Sequence, residues 1–261
     1  MDELKRFNNI YNLKIEDCEY LSYDEQECNK IMNNLFSNIV YRDCPDGYFY
    51  DKNNNIVYIY EHFEIDCSPY DKKGSQLRKS LAESKRITNK KIKEKKNGEI
   101  TTTIDQGYSY IDEEGTRHFE IGKNGDKYRN NYINKFNDCF DTHSKHINLY
   151  KENCLKELEI DNAKFKIIFI VEDVTEGGTY YLKGRGNGDC VNPLLTRQFQ
   201  NKLYNSNVDY LIFSSIQFRS LSILDKKILN KEVIEKSIDL EKKEFFVAPS
   251  MIYLTNILYI I

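Results

Sequence analysis

The sequence predicts an α/β protein whose core is a mixed central sheet flanked by helices. Two apolar runs, Phe165–Val171 and Val208–Ser214, are typical of strands that are buried on both faces because helices cover each side. Segments with helical periodicity alternate with the predicted strands, as they do in α/β proteins. The chain has 261 residues, enough for one large core. We therefore predict one domain over 1–261, with a possible inserted subdomain at 97–160.

The first half of the chain predicts a helix followed by a β-hairpin. Apolar residues recur at helical spacing over 24–39, and Asp24 is a suitable N-cap. Strands follow at 47–51 and 56–65. The Lys52–Asn55 segment between them is rich in Asn, which tolerates the positive φ of a tight turn. We expect these two strands to pair as antiparallel neighbours.

The rest of the chain alternates helices with shorter strands. Its last eleven residues, 251–261, are apolar but too few to span a bilayer, so they predict a closing strand or a core helix. The remaining segments predict helices over 74–96 and 230–242, a long helical segment over 127–159, a helix that begins at Asn192–Pro193, and strand-like pieces at 99–105 and 116–121.

Composition limits the classes of function. The net charge of −3 excludes a globally basic nucleic-acid binder but leaves room for a local basic surface. Seven cysteines are widely spread without a Cys-x-x-Cys pair, and the first residues lack the apolar core of a signal peptide. These features predict a reduced, cytoplasmic protein in which most cysteines are small core residues.

A candidate metal site lies in the predicted hairpin. By strand parity, Glu61 shares a face with the apolar Val57, Ile59 and Phe63, so it is a carboxylate on an otherwise apolar face. Such a group needs a partner, a proton or a metal ion. Asp46, at the start of the neighbouring strand, is a candidate second ligand for Mg²⁺. The alternative is that Asp46 is a turn residue and that Glu61 pairs with a buried Arg, a Tyr or a backbone group.

This arrangement resembles the PD-(D/E)XK nuclease superfamily, in which Pro-Asp opens one strand of a hairpin and the next strand carries Glu-x-Lys. Pro45–Asp46 matches the first part and Glu61 the second, while Phe63 occupies the position of the usual Lys. The resemblance covers roughly residues 24–96. It implies a restriction-endonuclease-like core, Mg²⁺ held by Asp46 and Glu61, and cleavage of DNA.

A basic stretch follows the candidate site. Residues 72–96 contain eleven Lys or Arg against two Glu, a balance that favours contact with phosphates. Lys79 or Lys73 is a candidate for the missing catalytic lysine, and we assign that role to Lys79. The alternative is a solvated helix face. The residues predicted to bind nucleic acid are Lys72, Lys73, Arg78, Lys85 and Arg86.

Three other features carry weaker functional predictions. Glu27 could add a carboxylate to the site, although a solvated helix residue is the expected alternative. Cys139, His143, His146 and the later Cys154 have zinc-ligand chemistry, but their spacing on one helix favours ordinary surface and core residues. The glycine-rich Lys183–Asp189 could hold a phosphate, although it matches no nucleotide-binding motif and a hairpin or lid loop is favoured.

Three functions are therefore weighed. The first is a Mg²⁺-dependent deoxyribonuclease with Asp46, Glu61 and Lys79 at its active site. The second is a nucleic-acid-binding or interaction module whose nuclease site has decayed, which the Phe63 substitution suggests. The third is a small-molecule phosphate binder that uses the loop at 184–188.

Overall fold

The structure is a computed structural model that describes residues 4–5, 18–66, 107–111, 117–121, 125–174, 180–184, 190–215, 220–241 and 245–248. The chain divides into two compact units. The first comprises Met1–Ile65, Phe136–Val174 and Asn192–Asp239, and the second comprises Asp66–Lys135, Thr175–Val191 and Leu240–Ile261.

Helices and strands alternate along the described residues. They are β1 (Cys18–Leu21), α1 (Glu25–Ser37), β2 (Val40–Tyr41), β3 (Gly47–Asp51), β4 (Ile56–Ile65), β5 (Gly107–Ile111), β6 (Arg117–Ile121), α2 (Gly125–Ser144), α3 (Ile147–Leu158), β7 (Lys164–Asp173), β8 (Tyr180–Gly184), β9 (Cys190–Val191), α4 (Arg197–Tyr204), β10 (Tyr210–Ser215), β11 (Ser220–Asp225), α5 (Lys231–Lys236) and β12 (Phe245–Ala248), with short 3₁₀ helices at Pro193–Leu195 and Lys226–Ile228.

A mixed seven-stranded sheet forms the first unit, in the order β1-β11-β10-β7-β4-β3-β2. Strands β4, β7 and β10 are parallel neighbours at its centre. Strands β2, β3 and β4 form an antiparallel meander on one side, while β10 pairs antiparallel with β11 on the other. The predicted α/β class with a mixed central sheet is confirmed.

Helix α1 packs against one face of this sheet. The Asp24 side chain caps it by accepting a hydrogen bond from the Glu27 N–H, as the sequence predicts. Cys28, Ile31 and Leu35 on its apolar side are completely buried. They join one hydrophobic cluster with side chains from the central strands: Tyr58, Tyr60, Ile168, Ile170, Tyr210 and Ile212.

The β3–β4 hairpin has the predicted boundaries and the predicted antiparallel pairing. Asn55 closes the turn with a φ of 51°, which an Asn tolerates better than most residues. The Asp51 carboxylate accepts the backbone N–H groups of Asn53 and Asn54 at 3.1 and 3.2 Å. These local contacts fix the register of the hairpin, and the register determines which residues of β3 and β4 lie opposite each other.

The two faces of β4 are distinct, as its parity predicts. Tyr58 and Tyr60 lie in the cluster under α1. Phe63 points to the other face, where its ring contacts Phe136 and His143 of α2 and Phe169 of β7. Helix α4 lies on that face too, since its Phe199 packs on Phe213 of β10 and stacks on Phe136 at 3.7 Å. Helices therefore flank both faces of the sheet.

The long helical segment predicted over 127–159 forms two helices rather than one. Helix α2 ends at Ser144, Lys145 and His146 form a turn, and α3 begins at Ile147. The Thr142 hydroxyl donates to the Asp138 carbonyl four residues back, a contact that bends helices. The break thus falls where a side chain already competes for the helical hydrogen bonds.

The second unit contains two small antiparallel sheets among its described residues. One is the β5–β6 hairpin, whose second strand lies within the predicted 116–121 segment. The other is a three-stranded sheet in the order β12-β8-β9. The predicted helix at 74–96 and the predicted strand at 99–105 lie outside the described residues.

Several boundaries differ from the sequence prediction. Strands β1, β2 and β11 were not expected. Strands β1 and β2 have only four and two residues, and β11 pairs with β1 across some 200 residues of the chain. Asn192 caps a 3₁₀ turn rather than an α-helix, and α5 ends at Lys236 instead of residue 242. Among the described residues, no helix has both the length and the apolar character needed to cross a membrane.

Candidate functional site

The structure brings Asp46 and Glu61 together, as the sequence predicts. Gly47 pairs with Tyr60, so Asp46 falls opposite Glu61 in the antiparallel register. The Asp46 N–H donates to Glu61 Oε2 at 3.3 Å. The His62 N–H in turn donates to Asp46 Oδ2 at 2.8 Å. The two carboxylates are thus coupled through the backbone of each other's strand at one end of the hairpin.

The segment that carries Asp46 is held on both sides. The Asp46 carbonyl accepts the Arg42 N–H at 2.9 Å, which closes the tight connection between β2 and β3. The Asn153 side chain of α3 donates to the Cys44 carbonyl at 3.0 Å. These contacts fix the backbone at Asp46, whose N–H donates to Glu61.

Two side chains from the interrupted helices meet on Glu61. His143 Nδ1, in the last turn of α2, lies 2.7 Å from Glu61 Oε1, and the Tyr150 hydroxyl of α3 donates to the same oxygen at 2.7 Å. The Glu61 side chain is 8% exposed and that of His143 is 25% exposed. Hydrogen-bond partners of this kind offset the cost of burying a carboxylate.

The environment of Tyr150 keeps its hydroxyl protonated. Burial raises the pKa of Tyr150 well above its usual value, and the negative charge of Glu61 raises it further. A phenol with a raised pKa retains its proton at neutral pH, so Tyr150 acts toward Glu61 as a hydrogen-bond donor.

His143 and Tyr150 are not among the residues that the sequence predicts for this site. In the sequence, His143 stands out only as a possible zinc ligand beside Cys139, His146 and Cys154, and a Tyr only as an unnamed partner of Glu61. Only the approach of α2 and α3 to β4 brings these side chains to Glu61, over sequence separations of 82 and 89 residues. Their i, i+7 spacing in a predicted helix beside an orphan carboxylate was the one available signal.

Phe63 fills the position where the resembled family has its lysine. Its ring stacks on the His143 imidazole, with centroids 5.2 Å apart and an interplanar angle of 11°, and meets Phe169 edge-on. Phe63 is almost completely buried. Among the described residues, Glu61 forms no ion pair with a Lys or an Arg, so the cationic side chain of a nuclease site would have to come from elsewhere in the chain.

Most of the other residues predicted for the site lie outside the described residues, and Glu27 lies away from Glu61. Lys79 and the predicted nucleic-acid-binding residues Lys72, Lys73, Arg78, Lys85 and Arg86 lie outside the described residues, as does most of the Lys183–Asp189 loop. Glu27 is described, and it lies on the opposite face of β4, where it pairs with Lys166 and accepts the Tyr58 hydroxyl at 2.9 Å. Glu27 therefore cannot join Glu61 at one ion.

A histidine–glutamate pair also lies on that opposite face. His62 Nε2 lies 2.8 Å from Glu172 Oε2, and both side chains are excluded from solvent. His62 also connects to the candidate site, because its backbone N–H contacts Asp46. The pair links β4 to β7 next to Glu61.

The metal-binding capacity of the site rests on two carboxylates. Within the described part of the chain, no three His, Cys, Asp or Glu side chains are grouped so that they could hold a metal ion. Mg²⁺ is commonly bound through one or two carboxylates, with waters and substrate phosphates as its other ligands. Asp46 and Glu61 supply hard oxygen donors of that kind, so their chemistry fits Mg²⁺ rather than a closed zinc site.

The fold and site define a mixed α/β protein with an Asp–Glu pair at the end of a β-hairpin. No protein-family model matches the chain, and searches of curated proteins and of solved structures found no significant match. What the chain does must therefore be argued from its own residues.

Proposed function

We propose that this protein is a Mg²⁺-dependent deoxyribonuclease of the PD-(D/E)XK type with a restriction-endonuclease-like core. The observation that carries the proposal is the contact of Asp46 and Glu61 across the β3–β4 hairpin. An apolar residue in place of Glu61 would bury at lower cost, so a carboxylate buried at this position supports a functional role. The mixed sheet with helices on both faces supports the same type of fold.

Asp46 and Glu61 would hold the ion. When bound, Mg²⁺ polarises the phosphate and lowers the pKa of an attacking water. The protein fixes both carboxylates in advance, since each accepts a backbone N–H from the other's strand. The hydrogen bonds from His143 and Tyr150 further limit the rotation of Glu61.

The basic stretch at 72–96 would bind the DNA backbone and supply the cationic side chain that Phe63 does not provide. Lys79 is the residue we assign to that role, and Lys72, Lys73, Arg78, Lys85 and Arg86 would contact phosphates. A lysine from a neighbouring segment can replace a strand lysine, because its task is to place one positive charge beside the phosphate.

The second candidate function is a nucleic-acid-binding module with a decayed nuclease site. Phe63 favours it, because this side chain belongs to an aromatic cluster with His143 and Phe169 where the family has a lysine. In that case Glu61 persists as a structural acceptor for Tyr150 and His143, and the basic stretch retains DNA binding without cleavage.

Nicking of supercoiled plasmid, with Mg²⁺ or with EDTA, separates the two functions. The nuclease proposal expects nicking by the wild type only with Mg²⁺, and its loss in Glu61→Gln and Asp46→Asn. Glu27→Gln is the matched control, because Glu27 also accepts a tyrosine hydroxyl at 2.9 Å but lies on the opposite face. It should retain nicking.

Binding to DNA decides among the remaining outcomes. A wild type that binds DNA in a salt-dependent manner but never nicks it would identify the decayed module. A folded wild type that neither binds nor nicks DNA would overturn both functions.

A further inference from the structure

The two oxygens of Glu61 have unequal surroundings. Oε1 is contacted by two side-chain donors, His143 and Tyr150, each at 2.7 Å. Oε2 accepts the Asp46 N–H at the longer distance of 3.3 Å. A carboxylate oxygen has about two lone-pair sites. The two donors therefore saturate Oε1 and leave acceptor capacity on Oε2, which lies toward Asp46.

The helix interruption falls between the two donors. In a continuous α-helix, residues seven apart lie on one face but are displaced by about 10 Å along the axis, so both side chains would have to lean toward each other to reach one oxygen. The turn at Lys145–His146 separates α2 from α3 between His143 and Tyr150. No Gly or Pro, the usual causes of helix breaks, occurs in Asp141–Tyr150. The break thus coincides with the convergence of its flanking helices on Glu61.

Packing holds both donors in place. Tyr150 is buried, with 3% of its surface exposed, so its ring has little freedom to turn away. The His143 ring is stacked on Phe63, which fixes the plane of the imidazole and directs Nδ1 at Glu61. The side chain at the usual lysine position therefore supports a donor to Glu61 instead of supplying a cation.

We infer that His143 and Tyr150 are positioning residues that fix Oε1 of Glu61, so that Oε2 is presented together with Asp46 to a divalent cation. This inference rests on the proposed function, since it assigns the cation to the same pair of carboxylates. Neighbouring donors of this kind orient metal-binding carboxylates, and removing one typically weakens metal affinity by roughly 10- to 100-fold.

The test measures cation binding without DNA, by calorimetric titration of the folded protein with Mn²⁺ and with Mg²⁺. Tyr150→Phe removes one donor and keeps the ring. His143→Leu removes the other, while His143→Asn places an amide N–H near the position of Nδ1. Tyr58→Phe is the matched control, because its hydroxyl donates to Glu27 on the opposite face of β4.

The inference expects Tyr150→Phe and His143→Leu to weaken binding of both cations by roughly 10- to 100-fold, with His143→Asn close to the wild type and Tyr58→Phe unchanged. In plasmid nicking, the half-saturating Mg²⁺ concentration should rise by a similar factor, and excess Mg²⁺ should restore most of the rate. A merely structural role would change the melting temperature without changing the cation affinity of the folded protein.

Wild-type affinity in folded Tyr150→Phe and His143→Leu would overturn the inference while leaving the nuclease proposal intact. A wild type that binds neither cation and does not nick DNA would overturn the proposed function, and the inference with it. If Tyr150→Phe does not fold, the comparison of His143→Leu with His143→Asn tests the inference by itself, because only the second variant keeps a hydrogen-bond donor at this position. Equal cation affinities in these two variants would then overturn the inference.

Discussion

Glu61 accepts hydrogen bonds from three donors that lie in different parts of the chain, and this determines how its replacement by Gln should act. The amide keeps one acceptor oxygen but places an NH₂ group where the other oxygen was. One of the donors, such as the Asp46 N–H, would then face another donor. We expect Glu61→Gln to lower the free energy of unfolding by about 1–3 kcal/mol, as for other unsatisfied buried donors.

Urea denaturation of Glu61→Gln beside Glu152→Gln measures this effect. Glu152 is an exposed residue of α3, so its replacement should change stability by no more than about 0.5 kcal/mol. An unchanged or increased stability of Glu61→Gln would mean that the carboxylate is strained in the absence of a cation.

The described cysteines differ in their expected reactivity. Burial raises the pKa of the Cys18 and Cys154 thiols to about 12, and it also raises the pKa of Cys28. The thiolate is the reactive form, so these three should resist alkylation in the native protein at pH 8. The half-buried Cys139 should react before these three. A short pulse of iodoacetamide followed by peptide mass spectrometry, with and without guanidinium, tests this order.

Rapid native labelling of Cys154 would contradict the packing of α3 on the sheet. The experiment also tests the sequence-based expectation that most cysteines are small core residues, since Cys18, Cys28 and Cys154 are buried and free of disulfides.

At the scale of elements, the turn of the β3–β4 hairpin should respond to acid. Hydrogen bonds from Asn54, followed by the contact with Lys30, lower the pKa of Asp51 to about 2, from an ordinary value of 3.8. Because the folded pKa is lowered, the contribution of Asp51 to stability is present above pH 3.8. It is lost as the pH falls through 2.

Chemical denaturation at pH 5, 3 and 2 checks this contribution. The wild type should lose more stability than Asp51→Asn across the interval between pH 4 and pH 2, since the amide cannot titrate. Parallel losses in the two proteins would show that other carboxyl groups account for the acid sensitivity.

The elements predictable from sequence are those that local signals define. Helix α1 has a capping Asp and an apolar stripe, and the β3–β4 hairpin has an Asn-rich turn, so both were located closely. Strand β1 has only four residues, and its partner β11 lies some 200 residues away in the chain. No local pattern reveals such a pairing, because it depends on tertiary packing.

The residues of the candidate site also differ in whether local sequence signals predict them. Asp46 and Glu61 belong to one hairpin, so the local register was enough to predict that they meet. His143 and Tyr150 reach Glu61 from two different helices, over sequence separations of 82 and 89 residues. No Gly or Pro marks the break between these helices, so the sequence predicts one long helical segment there.

At the scale of the whole molecule, we expect the affinity for DNA to fall steeply as the salt concentration rises. Each phosphate that the protein no longer neutralises should reduce the slope of log affinity against log salt concentration by about 0.9. Replacing Arg78, Lys79, Lys85 and Arg86 together by Gln should therefore reduce the slope by up to about 4 and weaken binding similarly for all sequences. Fluorescence anisotropy with labelled duplexes at several salt concentrations measures this slope for the wild type and the variant.

A control for this experiment comes from the described surface. Lys231→Gln and Lys236→Gln alter α5, which has no predicted role in DNA binding, and should leave the slope unchanged. Binding that does not vary with salt would remove the basic stretch as a DNA-binding segment and favour the small-molecule phosphate binder.

The long chain separation between the carboxylates and their two helical donors has a consequence for synthesis. The hairpin leaves the ribosome well before Tyr150 does, so a nascent chain carries the acidic pair before its donors exist. The stretch Asp66–Lys135, which belongs to the second compact unit, separates the hairpin in sequence from the segment that carries both donors. The cluster on Glu61 is therefore completed only after the whole of that stretch has been synthesised.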